Sequence, residues 1–146
     1  MSHCVMIETK LTDLEAVKLA CKELGFEFRE NQKTYAWWGS SVGDYPLPVG
    51  FTAEELGHCE HAIHIPGASY EIGLCKAKVG TGYVMLFDFF GQKTLLEKIG
   101  GEKAHKLLQS YSVNKTELEM KRKGYQTRRE VTHTGAVNVR IASARW

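Results

Sequence analysis

Three histidines and a cysteine fall within seven residues, at His58, Cys59, His61 and His64. Imidazole nitrogen and thiolate sulfur are ligands that suit zinc, so a metal-dependent activity, if the chain has one, centres here. The neighbouring Ile63, Ile65 and Pro66 favour a strand. Strand alternation then puts Cys59 and His61 on one face and His58 and His64 on the other. Two ligands per face do not close a structural site that normally takes four. Cys75, His3 or His133 would have to supply a third. The favoured expectation is half-buried strand histidines with no cofactor, zinc being the one candidate.

Nucleophilic chemistry would need a thiol beside a base. Cys59 with His58 or His61, and Cys4 after His3, are the local pairs, and neither sits in a nucleophile motif. Asp88 stands between Phe87 and Phe89. It reads as a strand-end carboxylate facing solvent beside Gly91. The Gly80–Gly82 stretch belongs to a hairpin and not to a helix N-terminus, so it is no phosphate loop. These residues lean away from an enzyme.

Charge points elsewhere. Residues 1–114 carry 11 Lys and Arg against 14 Asp and Glu, while residues 115–146 carry 8 against 3. The asymmetry marks a basic end, with Lys121, Arg122, Lys123, Arg128 and Arg140 as the candidate binding surface and Arg129 and Arg145 beside them. On a strand Arg129 points away from Arg128, so it needs a partner or a second exposed face. Tyr35, Trp37, Trp38 and Trp146 supply rings for base stacking next to phosphate contacts. The competing expectation is a solvated face plus core aromatics.

The 146 residues fit one domain. A hydrophobic content of 43% and a charged content of 25% exclude wholesale disorder and a coiled-coil rod. Residues 4–10 read as a strand. Thr12 and Glu15 stand in capping-box spacing before a helix with an apolar stripe of Leu14, Val17, Cys21 and Leu24, stopped by Gly25. Residues 26–30 and 33–39 suit a hairpin turning at Asn31 and Gln32. Residues 40–57 form an inserted loop with a helical turn at 52–56. Strands are expected at 60–65, 69–78 and 83–90, the last apolar on both sides and therefore central or interfacial. Helices follow over 93–99 and 102–123, with a bend near 111–113. A hairpin over 125–132 and 137–146 closes the chain, with Val137, Val139 and Ile141 inward. The fold class is α+β, a mainly antiparallel sheet with helices on one face, in a single domain over residues 1–146. Its order hints at two pseudo-equivalent βαββ halves sharing the sheet around a hairpin insertion, though a common helix-stop grammar explains the repeat nearly as well.

Several phrases, in order along the chain, resemble the DUF1257 family, the Ycf35-like proteins and their phage-encoded relatives. They are the opening MSH with LTDL at 11–14, ELGF at 23–26, CEHAIHIPGAS at 59–69, YEIG at 70–73, GYVMLFDFF at 82–90 and RKGY at 122–125. The resemblance brings no assigned catalytic residue and no established function. It implies a phage or bacterial accessory protein whose partner is a AAA ATPase.

The spread cysteines, the absence of an apolar leader and the absence of a membrane-length apolar run point to free thiols and a cytoplasmic protein with no membrane partner. The expected function is a non-catalytic binding or adaptor protein acting on a protein partner, homo-oligomers included. The alternative is nucleic-acid or nucleotide-phosphate binding through the basic end.

Overall fold

The computed structural model describes residues 3–39 and 45–144. Residues 40–44 of the expected insertion, and Arg145 and Trp146, lie outside the described residues. Strand β1 (Cys4–Leu11) runs into helix α1 (Leu14–Leu24). The helix is capped by Asp13, whose carboxylate accepts from Glu15 N at 3.0 Å and Ala16 N at 3.2 Å. The Thr12–Glu15 capping box is thus not used. Asp13 sits one residue nearer, and its charge complements the positive helix end. Gly25 closes the helix at φ 77°, a conformation that glycine adopts without strain. Val17 and Cys21 are buried as expected, Leu14 and Leu24 only half-buried, and Ala16 and Ala20 complete the packed face.

Strands β2 (Glu27–Arg29), β3 (His61–His64), β4 (Ile72–Lys76) and β5 (Tyr83–Asp88) join β1 in a five-stranded antiparallel sheet, ordered β1-β5-β4-β3-β2. The apolar run of β5 is covered on both faces. Met85 and Phe87 belong to one buried cluster, Val84 and Leu86 to the other. The expected hairpin between 26–30 and 33–39 does not form. Phe28 stands opposite Ile63 instead, because pairing with β3 lets both side chains pack in the main core.

Helices α1, α2 (Lys93–Ile99) and α3 (His105–Arg122) cover one face. Val17, Cys21, Leu95, Ile99, Leu107 and Tyr111 meet Ile7, Ile63, Leu74, Met85 and Phe87 there. The α3 segment is one continuous helix through residues 111–113. Residues 33–39 and 45–59 cross the opposite face, laying Tyr35, Phe51 and Leu56 over Cys4, Ala62, Cys75, Val84 and Leu86. The expected turn is present as a 3₁₀ helix (Ala53–Glu55), closed by a Thr52–Glu55 capping box.

Strands β6 (Tyr125–Val131) and β7 (Val137–Ala144) pair only with each other. The two halves therefore do not share one sheet. This ribbon packs on α3 beyond the helix layer. Val137 and Val139 are half-buried, but Ile141 is 57% exposed and is not part of the inward face. Among the described residues no helix is long and apolar enough to cross a membrane.

Candidate functional site

Asp88 and Glu71, the two carboxylates buried on the loop-covered face, stay there because backbone donors meet them. Asp88 is fully buried, contrary to the solvent-facing strand end expected. Its Oδ1 accepts from His3 N at 3.0 Å and Phe90 N at 3.1 Å, and its Oδ2 from Trp38 N at 3.2 Å. Glu71 accepts from Ala36 N at 2.9 Å, Gln32 Nε2 at 3.0 Å and Arg29 at 3.1 Å, with His64 Nδ1 at 3.5 Å. Both carboxylates hold the segment 36–38 against the sheet. The Tyr35 ring fills the space above Gly73, where a β-carbon would come within 2.2–2.9 Å of three ring atoms.

The histidine–cysteine segment is divided by a bulge. Glu60 N donates to Leu74 O at 2.8 Å while His61 stands opposite the same Leu74, so two residues face one. The bulge reverses the expected alternation. Cys59 joins Ala62 and Cys75 on the loop-covered face, and His61 turns to the helix face between the rings of Phe28 and Tyr83. His61 Nδ1 accepts from Asn31 N at 2.9 Å, and burial holds its imidazole below the usual value. His58 is exposed, and His64 leans on Glu71. The four candidate ligands are thus not brought together. Among the described residues no three His, Cys, Asp or Glu side chains are placed to hold a metal ion. Cys59 and Cys75 donate to Gln32 O and His58 O, and burial pushes each thiol up to about 12.

The basic end is largely occupied by its own carboxylates. Arg122 bridges Asp13 at 3.1 Å and Glu15 at 3.4 Å, and Arg128 and Arg140 share Glu130 at 3.3 and 2.6 Å. Arg129 finds the partner its strand position demands: it clamps Glu23 and Glu117 and reaches Asn114, tying the ribbon to α1 and α3. Ser110 also donates to Glu23 at 2.7 Å. Burial opposes ionisation of Glu23, but its bonds from Arg129, Ser110 and Asn114 together hold its carboxyl below the usual value. Lys121 and Lys123 remain without a carboxylate partner among the described residues.

The three described stacking residues do not join that surface, and Trp146 lies outside the described residues. Tyr35 is buried, Trp37 packs over Gly57, and only Trp38 is open, at 51% exposure. Trp38 stands at the opposite end of β1 from Arg122. Its backbone bonds Asp88, opposite Cys4, whereas Arg122 bonds Asp13 beyond Leu11. Eight strand residues separate the two by about 25 Å.

What gathers around Trp38 is an aromatic corner that no sequence spacing announced. The His3 ring stacks on Tyr45 at 4.2 Å and meets Phe90 edge-on at 4.8 Å and Phe89 at 5.5 Å. Phe90 is 46% exposed. Asp88 bonds the backbones of both Phe90 and Trp38, so one buried carboxylate sets the spacing of the two exposed rings. Tyr70 adjoins them through the Glu71 N to Ala36 O bond, and burial, then the charge of Asp88, push its phenol up. No family model, curated protein or solved structure matches this chain.

Proposed function

We propose that this chain is a non-catalytic adaptor that binds a protein partner through the aromatic corner around Trp38 and Phe90. The observation that carries the reading is their exposure, at 51% and 46%, on backbone fixed by a buried carboxylate. Large aromatic side chains held in place supply apolar contact area at little further entropic cost, and such residues dominate protein interfaces. The AAA ATPase implied by the family resemblance is a partner of this kind. Binding of nucleic acid or nucleotide phosphates through the basic end is less supported. Arg122, Arg128 and Arg140 are already paired, and the exposed rings lie at the far end of β1.

The test is affinity capture from the native cell with three baits: the natural chain, a Trp38→Ala/Phe90→Ala variant and a Lys121→Glu/Lys123→Glu variant. The adaptor reading expects a protein that survives high salt, is kept by the lysine variant and is lost by the aromatic variant. Recovery of nucleic acid that is lost in salt and with the lysine variant would favour the alternative, since phosphate contacts weaken steeply with salt.

A further inference from the structure

The bulge at Glu60 has a chemical consequence for the two thiols beside it. Beyond the bulge, the residue before Glu60 comes into line with the residue after Leu74, so Cys59 stands opposite Cys75. Both belong to the same buried cluster on the loop-covered face. Cys59 N donates away from β4, to Lys33 O at 2.9 Å, so the two cysteines form a non-hydrogen-bonded antiparallel pair. In such a pair the α-carbons lie about 4.5 Å apart and the side chains are close. That spacing falls within the range of about 4.4–6.8 Å that a disulfide spans. The Cys75 thiol already reaches the carbonyl of His58, the residue joined to Cys59, at 3.3 Å. Both cysteines line one surface cavity of about 310 Å³ with Phe51, His58 and Lys76, so a small thiol reagent has an approach from solvent.

We propose that Cys59 and Cys75 are a cross-strand dithiol that closes to an intramolecular disulfide on exchange with a small disulfide oxidant. This inference is independent of the aromatic corner. In the first step one protein thiol loses its proton to solvent and its sulfur attacks a sulfur of glutathione disulfide. The S–S bond of the reagent breaks, and one glutathione leaves as thiolate with the electron pair. The second protein thiol, also deprotonated, attacks the protein-side sulfur of the mixed disulfide and expels the second glutathione. Two protein S–H groups are oxidised to one S–S bond, and one glutathione disulfide is reduced to two thiols. Closure also removes the thiol donors that bond Gln32 O and His58 O. The attacking species is the thiolate, and burial holds both thiols protonated at neutral pH, up to about 12. Exchange in the folded chain is therefore slow and accelerates about tenfold per pH unit between pH 7 and 9.

The experiment incubates the folded, reduced chain with glutathione disulfide, alkylates the remaining thiols after denaturation and maps peptides by mass. The expected result is loss of two of the four alkylatable thiols, an intact mass lower by two hydrogens, and one linked peptide pair containing Cys59 and Cys75. Cys59→Ser and Cys75→Ser should each stop at the mixed disulfide on the remaining partner, and Cys21→Ser should behave as the natural chain. If a serine variant does not fold, the linked peptide from the natural chain alone decides. Four alkylatable thiols throughout, a persistent mixed disulfide in the natural chain, or a link involving Cys4 would overturn the assignment.

Discussion

Gly73→Ala is a one-methyl change whose cost follows from a single contact. Gly73 lies in β4 opposite Ala62 and Leu86, and the Tyr35 ring occupies the volume a side chain would take. An added β-carbon would sit 2.2, 2.6 and 2.9 Å from Cδ1, Cε1 and Cγ of that ring. Those atoms are the base of a rigid ring and cannot swing aside as a flexible chain end would. Overpacking a filled site costs about 1–3 kcal/mol, and three contacts this short place Gly73→Ala at the upper end. Alanine in a strand recovers roughly 0.5–1 kcal/mol of the backbone entropy that glycine loses on folding. The net destabilisation is about 2 kcal/mol, or a fall in Tm of about 6 °C for a chain of this size. Urea denaturation of the natural chain, Gly73→Ala, Tyr35→Ala and the double variant measures the coupling directly. Tyr35→Ala alone should cost about 3–5 kcal/mol through the cavity it leaves. In its background Gly73→Ala should be neutral or slightly stabilising. Strict additivity of the two changes would show that Tyr35 does not rest on Gly73, and the account of how residues 33–38 cross the sheet would fail.

Tyr35→Phe should leave the denaturation midpoint unchanged or raise it, because the buried Tyr35 hydroxyl has no well-formed hydrogen bond among the described residues, Gly57 being the backbone beside it. A loss above about 1 kcal/mol would reveal a partner for it. Leu14→Ala should cost about 1–2 kcal/mol in urea denaturation, less than the 2–5 of a fully buried leucine, since Leu14 is only half-buried. Glu23 has a lowered pKa in the folded chain, so its contribution is complete above the ordinary value of 4.5 and is lost as pH falls through the folded value. Tm should therefore drop as pH falls below 4.5, and Glu23→Gln should make that acid limb shallower. An identical acid limb in the variant would remove Glu23 from the clamp.

The local grammar of the chain was readable where neighbours in sequence decide the outcome. Gly25 stopping α1, the doubly apolar β5 and the Thr52 turn all depend on residues within a few positions of one another. Features that depend on distant partners were not. Asp88 between two phenylalanines looks like a strand end, because its three donors are backbone N–H groups at residues 3, 38 and 90, which carry no side-chain signature. The same holds for the pairing of β2 with β3, which brings Phe28 opposite Ile63 across 35 positions. At the candidate metal segment one extra residue at the bulge was enough to put Cys59 and His61 on opposite faces. Arg129 was the legible part of the basic end. Its strand parity demanded a partner, and Glu23 and Glu117 supply one.

The central claim is that the aromatic corner touches a protein. A photoreactive phenylalanine analogue at position 90 places the crosslinking group on the exposed ring itself, and the same analogue at position 128 places it on the outer face of the ribbon. After irradiation in the native cell, the account predicts a discrete protein adduct from position 90 and none from position 128. An adduct to nucleic acid or protein from position 128, with position 90 unreacted, would contradict it.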